Sequence, residues 1–180
     1  MTEELDVLLD ISRRLDLVEI PHMVTGSIAM SLYVRPRMTR DINVVVVLHS
    51  GDVDRLVASL EDSYYIDTGA ARLAVLQPGM LNAIHEELII KVDLIPRPDT
   101  EYALHAFERR QFIDIIGRRV PVISPEDLVL AKVNWAEASH SETQIQDVKA
   151  LLEYEGLDMN YIANWVQVLG LQCIWRRVQC

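Results

Sequence analysis

The sequence predicts an α/β (α+β) fold in which a mixed sheet flanked by helices is followed by a C-terminal helical portion. Residues 41–48, DINVVVVL, are β-branched and almost wholly apolar after the first three, which is typical of a strand covered on both faces. Residues 81–95 carry two further strand-like segments. From Ser124 onward the apolar residues follow helical spacing. We therefore expect a mixed α/β core over residues 1–123 and a helical bundle over residues 124–180.

Each element has its own sequence signal. Leu and Ile residues recur at mostly helical spacing over residues 3–18, and Pro21 ends that helix. The segment after Ile123 begins with a capping serine, a proline at the first helical position and acids in the first turn. In chain order we expect a helix over residues 3–18, a strand over 22–25, a brief helix from Gly26 to about Tyr33, a strand over 41–48, a helix over 52–61, two strands within 81–95, a short helix from Thr100, a hairpin split by Gly117, and helices from Ser124 onward.

Length, hydropathy and charge restrict the class of protein. A chain of 180 residues suits one domain, or one domain with a helical appendage. No apolar stretch approaches the roughly 20 residues of a membrane span, and the N-terminal segment lacks the order of a signal peptide. We therefore expect a cytoplasmic protein without a membrane partner. A net charge of −10 argues against indiscriminate binding to nucleic acid, which depends on basic side chains.

Polar side chains interrupt two of the apolar strands. Asp41 and Asn43 are two residues apart on one predicted strand, so they project to the same side. Asp93 lies on a later strand, and if the two strands are neighbours, the three oxygen-bearing side chains converge. Buried carboxylates need a neutralising cation, and hard divalent cations prefer oxygen ligands. The pattern predicts a Mg²⁺ (or Mn²⁺) site, although Asp41 could be a simple strand-start residue and Asp93 an edge carboxylate paired with Lys91 or Arg97.

Gly26 and Ser27 supply a second half to this site. Backbone N–H groups at a helix start, beside a hydroxyl and a residue without a side chain, can hold a phosphate. Metal and phosphate together indicate nucleotide chemistry. In the basic turn before Asp41, Arg40 is the best candidate for a contact with substrate phosphate, and a solvated basic loop is the alternative.

Lys132 stands where a helix facing the core would normally carry an apolar residue. It shares a stripe with Leu128 and Trp135, so its ammonium needs an anionic partner. That partner could be a triphosphate or a catalytic carboxylate in the cleft between the two portions. The alternatives are a lysine stem that reaches solvent and a salt bridge to Asp147.

These residues resemble the polymerase-beta-like nucleotidyltransferase superfamily, whose pattern is Gly-Ser, a spacer, Asp-x-Asp or Asp-x-Glu, and a later third acid. Gly26-Ser27, Asp41-x-Asn43 and Asp93 follow this pattern. The helical half, SPEDLVLAKVNWAEAS followed by SETQIQDVKALL, is similar to the minimal and abortive-infection toxin-type nucleotidyltransferases, in which the helix lysine and the Gln-x-x-Asp-Val segment recur.

The resemblance implies an activity. In that family the acids hold two metal ions, the phosphates of a nucleoside triphosphate sit on the Gly-Ser turn, and a nucleotide passes to an acceptor hydroxyl. The acceptor here would be a tRNA end, a protein or a small molecule. The resemblance also implies a possible cognate partner in a toxin–antitoxin pair, and the apolar tail YIANWVQVLGLQCIW could cover a homo-oligomer interface.

Asn43 departs from the family pattern. The family has a second carboxylate there, whereas an amide oxygen can contact a cation but brings no charge. Because two-metal catalysis stabilises the attacking and leaving oxygens together, a lost charge weakens catalysis more than nucleotide binding. The sequence thus leaves two hypotheses open, an active nucleotidyltransferase and a catalytically weakened or inert binding module.

Overall fold

The computed structural model describes residues 2–34, 41–77 and 79–179. The helices are α1 (Glu3–Leu17), α2 (Gly26–Ser31), α3 (Val53–Leu60), α4 (Thr68–Leu76), α5 (Glu101–Glu108), α6 (Pro125–Ser139), α7 (Glu142–Leu151), α8 (Met159–Val168) and α9 (Gln172–Gln179). The strands are β1 (His22–Thr25), β2 (Asp41–Val46), β3 (Tyr64–Ile66), β4 (Leu81–His85), β5 (Ile90–Pro96), β6 (Gln111–Ile115) and β7 (Arg118–Val122).

Within the described residues, the seven strands form one mixed sheet in the order β3-β4-β5-β2-β1-β7-β6. The predicted fold class is confirmed, and β2 lies at the centre of the sheet as its valine-rich sequence predicts. β2 is parallel to β5 and antiparallel to β1, so both of its edges are hydrogen-bonded. The predicted hairpin is β6 and β7, which pair antiparallel on either side of Gly117.

The strand register aligns four polar residues across the sheet. Thr25 at the end of β1 pairs with Asn43 on β2, and Asn43 pairs with Asp93 on β5. Asp93 in turn pairs with Asn82 on β4. We call these four residues the polar row. Because it crosses four neighbouring strands, their backbones hold its members at fixed spacing.

The helical portion begins with the predicted cap. The Ser124 hydroxyl accepts a hydrogen bond from the backbone N–H of Asp127, and Pro125 occupies the first helical position. α6 packs against α2 of the preceding portion and against α7, α8 and α9. The division at residue 123 stays a prediction, and one hydrophobic cluster contains buried residues from both sides of it. In the apolar tail, Trp165 and Trp175 are buried in this cluster.

β3 and α4 were not predicted from the sequence. β3 has three residues and α4 begins with Thr68-Gly69, so neither presents a clear period of apolar residues. The N-cap of α4 does have a sequence signal, because Asp is a preferred capping residue. In the structure the Asp67 carboxylate accepts a hydrogen bond from the backbone N–H of Ala70. Among the residues that the structure describes, no helix is both long and apolar enough to cross a bilayer.

Candidate functional site

Asp93 is the buried centre of the polar row. Its side chain is 6% exposed, because β5 lies between β2 and β4 and the flanking residues of β5 are apolar. One carboxylate oxygen, Oδ1, accepts a hydrogen bond from the amide of Asn82. The other, Oδ2, lies 3.1 Å from the ammonium nitrogen of Lys91. Asp93 is therefore an interior residue of the sheet rather than an edge carboxylate, but it does form the ion pair with Lys91 that was one of the alternatives open from the sequence.

Asp41 lies at the mouth of the same site. It begins β2 and pairs in register with Lys91, so the two side chains meet at the end of the sheet. Its side chain is 56% exposed, and its Oδ1 lies 3.8 Å from Lys91 Nζ. The two carboxylates thus approach one ammonium group, as their strand positions predict. The hydrogen bond with Asp93 raises the pKa of Lys91, with the charge of Asp41 adding to it, so this lysine stays protonated at neutral pH.

The Gly-Ser turn packs directly on Asn43. Gly26 has φ +72°, in the left-handed region that favours glycine. A Cβ atom built on Gly26 would lie 2.8 Å from the side-chain nitrogen of Asn43, which is closer than a real contact allows. Ser27 follows and is buried. The turn predicted to hold phosphate and the motif predicted to hold metal are therefore in contact.

Lys132 is buried and paired. Its ammonium lies 2.7 Å from Asp147 Oδ2 and 3.2 Å from Gln144 Oε1, both on α7. The structure thus contains the salt bridge that the sequence analysis gave as an alternative. It also explains the Gln-x-x-Asp-Val segment, whose first and fourth residues contact this lysine. A role for Lys132 at a phosphate stays a prediction, and Arg40 lies outside the described residues.

The donor set suits one hard divalent cation. Asp41 and Asp93 offer carboxylate oxygens, and the Asn43 side chain has an amide oxygen on the strand between Thr25 and Asp93. No group of three or more His, Cys, Asp or Glu capable of holding a metal occurs in the part of the chain that the structure describes. Because a hard divalent ion takes about six or more oxygen ligands, two carboxylates and one amide oxygen fit one ion better than two.

Two residues of the site were not assigned to it from the sequence. Lys91 was considered only as an ion-pair partner of Asp93, and its contact with Asp41 depends on the β2–β5 register. Asn82 was not considered. The alternation of LNAIH places Asn82 and Ile84 on one face of β4. Only the antiparallel pairing of β4 with β5 shows that Asn82 lies opposite Asp93 in the sheet.

No protein-family model matches the sequence, and no curated protein sequence matches it either. Solved structures do match the fold. The chain is similar to the crystal structure of ANT(2'')-Ia in complex with adenylyl-2''-tobramycin, with a TM-score of 0.61 and 17% identity over 98% of this chain and 99% of that one. It is also similar to an antigenic nucleotidyltransferase-like protein from Paracoccidioides brasiliensis, with a TM-score of 0.60 and 17% identity over 97% of this chain and 93% of that one.

A third similar structure is the lincosamide antibiotic adenylyltransferase LnuA with bound lincomycin. Its TM-score is 0.54, with 18% identity over 85% of this chain and 97% of that one. For the first two structures the similarity spans at least 97% of this chain, so it includes the helical portion. These likenesses show that the chain has the nucleotidyltransferase fold.

Proposed function

We propose that this protein binds a nucleoside triphosphate together with Mg²⁺ (or Mn²⁺) and transfers a nucleotide to a hydroxyl group of a small molecule. The observation that carries the proposal is the contact of the Gly26 turn with Asn43, in the same row as Asp93. A phosphate-binding turn and a carboxylate site are useful together only for a ligand that has both phosphate and metal.

Each residue of the site has a role in this proposal. Asp41 and Asp93 would hold the cation, with the amide oxygen of Asn43 as a weak third ligand. The bound ion would neutralise charge on the triphosphate oxygens. The backbone N–H groups at Gly26 and Ser27 would hold the phosphates, because they stand at the start of α2 beside Asn43. Lys132 and Arg40 remain predicted phosphate contacts.

A small-molecule acceptor is the best supported of the three acceptor classes. The net charge of −10 opposes a tRNA acceptor, whose backbone would be repelled. Two of the structures with this fold hold lincomycin and an adenylylated tobramycin, which are small molecules. A cytoplasmic location, a homo-oligomer and a cognate toxin or antitoxin stay predictions.

Calorimetric titration with each nucleoside triphosphate, with and without Mg²⁺, tests the binding half of the proposal. We expect saturable binding that depends on Mg²⁺ and that weakens by at least about tenfold in Asp93→Ala and Asp93→Asn, since even outer-shell changes cost a metal site about 10–100-fold. Asp99→Ala removes an exposed acid and should leave the affinity unchanged. Unchanged Mg²⁺-dependent affinity in both Asp93 variants would contradict the assignment.

A second candidate function is a nucleotide-binding module with little or no catalysis. Asn43 favours it, because the residue brings an uncharged amide next to Asp93 where the family pattern has a carboxylate. Asn43→Asp separates the two candidates. If the rest of the site is competent, this variant should bind Mg²⁺-triphosphate more tightly and transfer nucleotide faster to an acceptor from a small-molecule panel. Tighter binding without transfer to any acceptor would favour the inert module.

A further inference from the structure

Lys91 places a positive charge against both carboxylates of the candidate site. Its Nζ is 3.1 Å from Asp93 Oδ2 and 3.8 Å from Asp41 Oδ1. The arrangement follows from backbone geometry, because Lys91 is two residues from Asp93 on β5 and opposite Asp41 in the β2 register. A divalent cation held by the same two carboxylates would meet this ammonium group.

The local charge explains why the lysine lies there. Asp41 and Asp93 carry two negative charges, whereas the neighbouring row residues Asn43 and Asn82 are uncharged amides. A buried carboxylate such as Asp93 is costly without a cation nearby. The ammonium offsets part of this charge, and its side chain is 40% exposed, so the flexible stem has room to turn away.

We propose that Lys91 is a tethered counter-cation that competes with a divalent ion for Asp41 and Asp93 and is released to the phosphates when the ion arrives with a nucleoside triphosphate. A free divalent ion then binds weakly, because it must displace the Lys91 ammonium from both carboxylates and provides no new anionic partner for it. A metal-triphosphate complex binds more tightly, because its phosphate oxygens accept charge-assisted hydrogen bonds from the displaced ammonium. This role of Lys91 rests on the proposed function and adds that the binding of the metal ion and the binding of the nucleotide strengthen each other.

Binding of Mn²⁺ alone tests the competition without any enzymatic activity. Mn²⁺ affinity is measured by electron paramagnetic resonance for the wild type, Lys91→Gln, Lys91→Met and Lys91→Arg. We expect Lys91→Gln and Lys91→Met to bind Mn²⁺ about tenfold or more tightly than the wild type, which corresponds to about 1.4 kcal/mol. Lys91→Arg keeps the charge and should stay close to the wild type. Circular dichroism confirms that each variant is folded.

The same titration with a non-hydrolysable triphosphate present tests the release. In the wild type the triphosphate should tighten Mn²⁺ binding strongly, whereas in Lys91→Gln this gain should shrink by about tenfold, because no ammonium remains to be transferred. Equal Mn²⁺ affinity in the wild type and both neutral variants would overturn the proposal. A gain from the triphosphate that is undiminished in Lys91→Gln would also overturn it.

These outcomes are separable from failure of the proposed function. If Mn²⁺ binds more tightly to the neutral variants but no triphosphate binds to any of them, the competition stands and nucleotide binding fails. If the wild type binds Mg²⁺-triphosphate through Asp93 while Lys91→Gln leaves Mn²⁺ affinity unchanged, the proposed function stands and the role of Lys91 fails.

Discussion

Gly26 contributes to the site through its backbone alone. Its φ of +72° is costly for any residue with a side chain, and the space that a Cβ would need is filled by Asn43. Two separate constraints therefore require glycine at one position. Both follow from the need to bring the Gly-Ser turn against the polar row.

Gly26→Ala should therefore destabilise the protein by about 2 kcal/mol, since a left-handed non-glycine residue alone costs about 1–3 kcal/mol. Urea denaturation measures the effect. Gly51→Ala is the matched control, because a Cβ on Gly51 meets nothing within 4 Å, and we expect almost no change. In an Asn43→Ala background the cost of Gly26→Ala should fall, since the 2.8 Å contact with the side-chain nitrogen is removed and the backbone strain remains with the 3.2 Å contact to the Cβ of residue 43. An equal cost in both backgrounds would refute the contact.

Three helices meet at the buried carboxylate of Asp127, near the start of α6. It accepts hydrogen bonds from the Ser124 hydroxyl at 2.7 Å, from Arg109 Nε at 3.3 Å and from the Tyr161 hydroxyl at 2.7 Å. Arg109 directly follows α5, and Tyr161 belongs to α8. The ring of Tyr161 lies under the guanidinium of Arg109. Burial and the hydrogen bond to Asp127 raise the pKa of Tyr161, so its hydroxyl keeps its proton and donates this hydrogen bond throughout the physiological range. One carboxylate thus fixes α8 and the end of α5 against α6.

Tyr161→Phe removes one donor from this carboxylate and should lower the free energy of unfolding by about 1.5–3 kcal/mol, the range for hydrogen bonds to charged groups. Thermal and urea unfolding measure the loss. Tyr65→Phe removes a hydroxyl from a side chain that is 61% exposed and should change stability little. Losses of equal size in the two variants would show that the bond to Asp127 contributes nothing specific.

At the scale of the whole molecule, His22 makes stability depend on pH. It is buried on β1, where its Nε2 lies 2.9 Å from the Ser12 hydroxyl and its Nδ1 lies 3.2 Å from the Ile20 carbonyl oxygen. A carbonyl only accepts, so Nδ1 donates, and Nε2 accepts from Ser12 in a neutral ring. Burial lowers the pKa of His22. Asp16 opposes that shift, and the nearby Arg110 and Arg118 add to it.

The direction of this pH dependence follows from the linkage between proton binding and folding. Because the folded pKa lies below the unfolded value of about 6.5, the unfolded chain binds the proton first, and stability falls as pH drops below about 6.5. The contribution of this one group has a slope of at most about 1.4 kcal/mol per pH unit. Urea unfolding between pH 5 and 8 should show that His22→Gln loses this slope. His140→Asn changes an exposed histidine and should keep the pH slope of the wild type. Parallel curves of unfolding free energy against pH for the wild type and His22→Gln would contradict the role of His22.

Strand alternation predicted that Asp41 and Asn43 share a face, whereas their convergence with Asp93 was predicted only if the two strands are neighbours, which the pairing of β2 with β5 shows. The role of Lys91 was not predicted, because a cross-strand contact depends on register, which one strand does not encode. For Lys132 the sequence left three environments open: an anion in the cleft, a salt bridge to Asp147, and solvent. Which anion meets it depends on how α7 packs on α6, and the structure shows Asp147. β3 and α4 were missed because short elements carry too little periodic signal.

The pairing of β1 has a consequence for synthesis and folding. One edge of β1 pairs with β2 nearby in the chain, whereas the other pairs Val24 with Val122, far along it. Contacts between such distant residues form late, because closing the long intervening loop costs entropy. A nascent chain that has not reached residue 118 already contains every acid of the candidate site but leaves one edge of β1 open. Because an unpaired edge can pair with a strand of another chain, we expect incomplete chains of this protein to aggregate more readily than the complete chain.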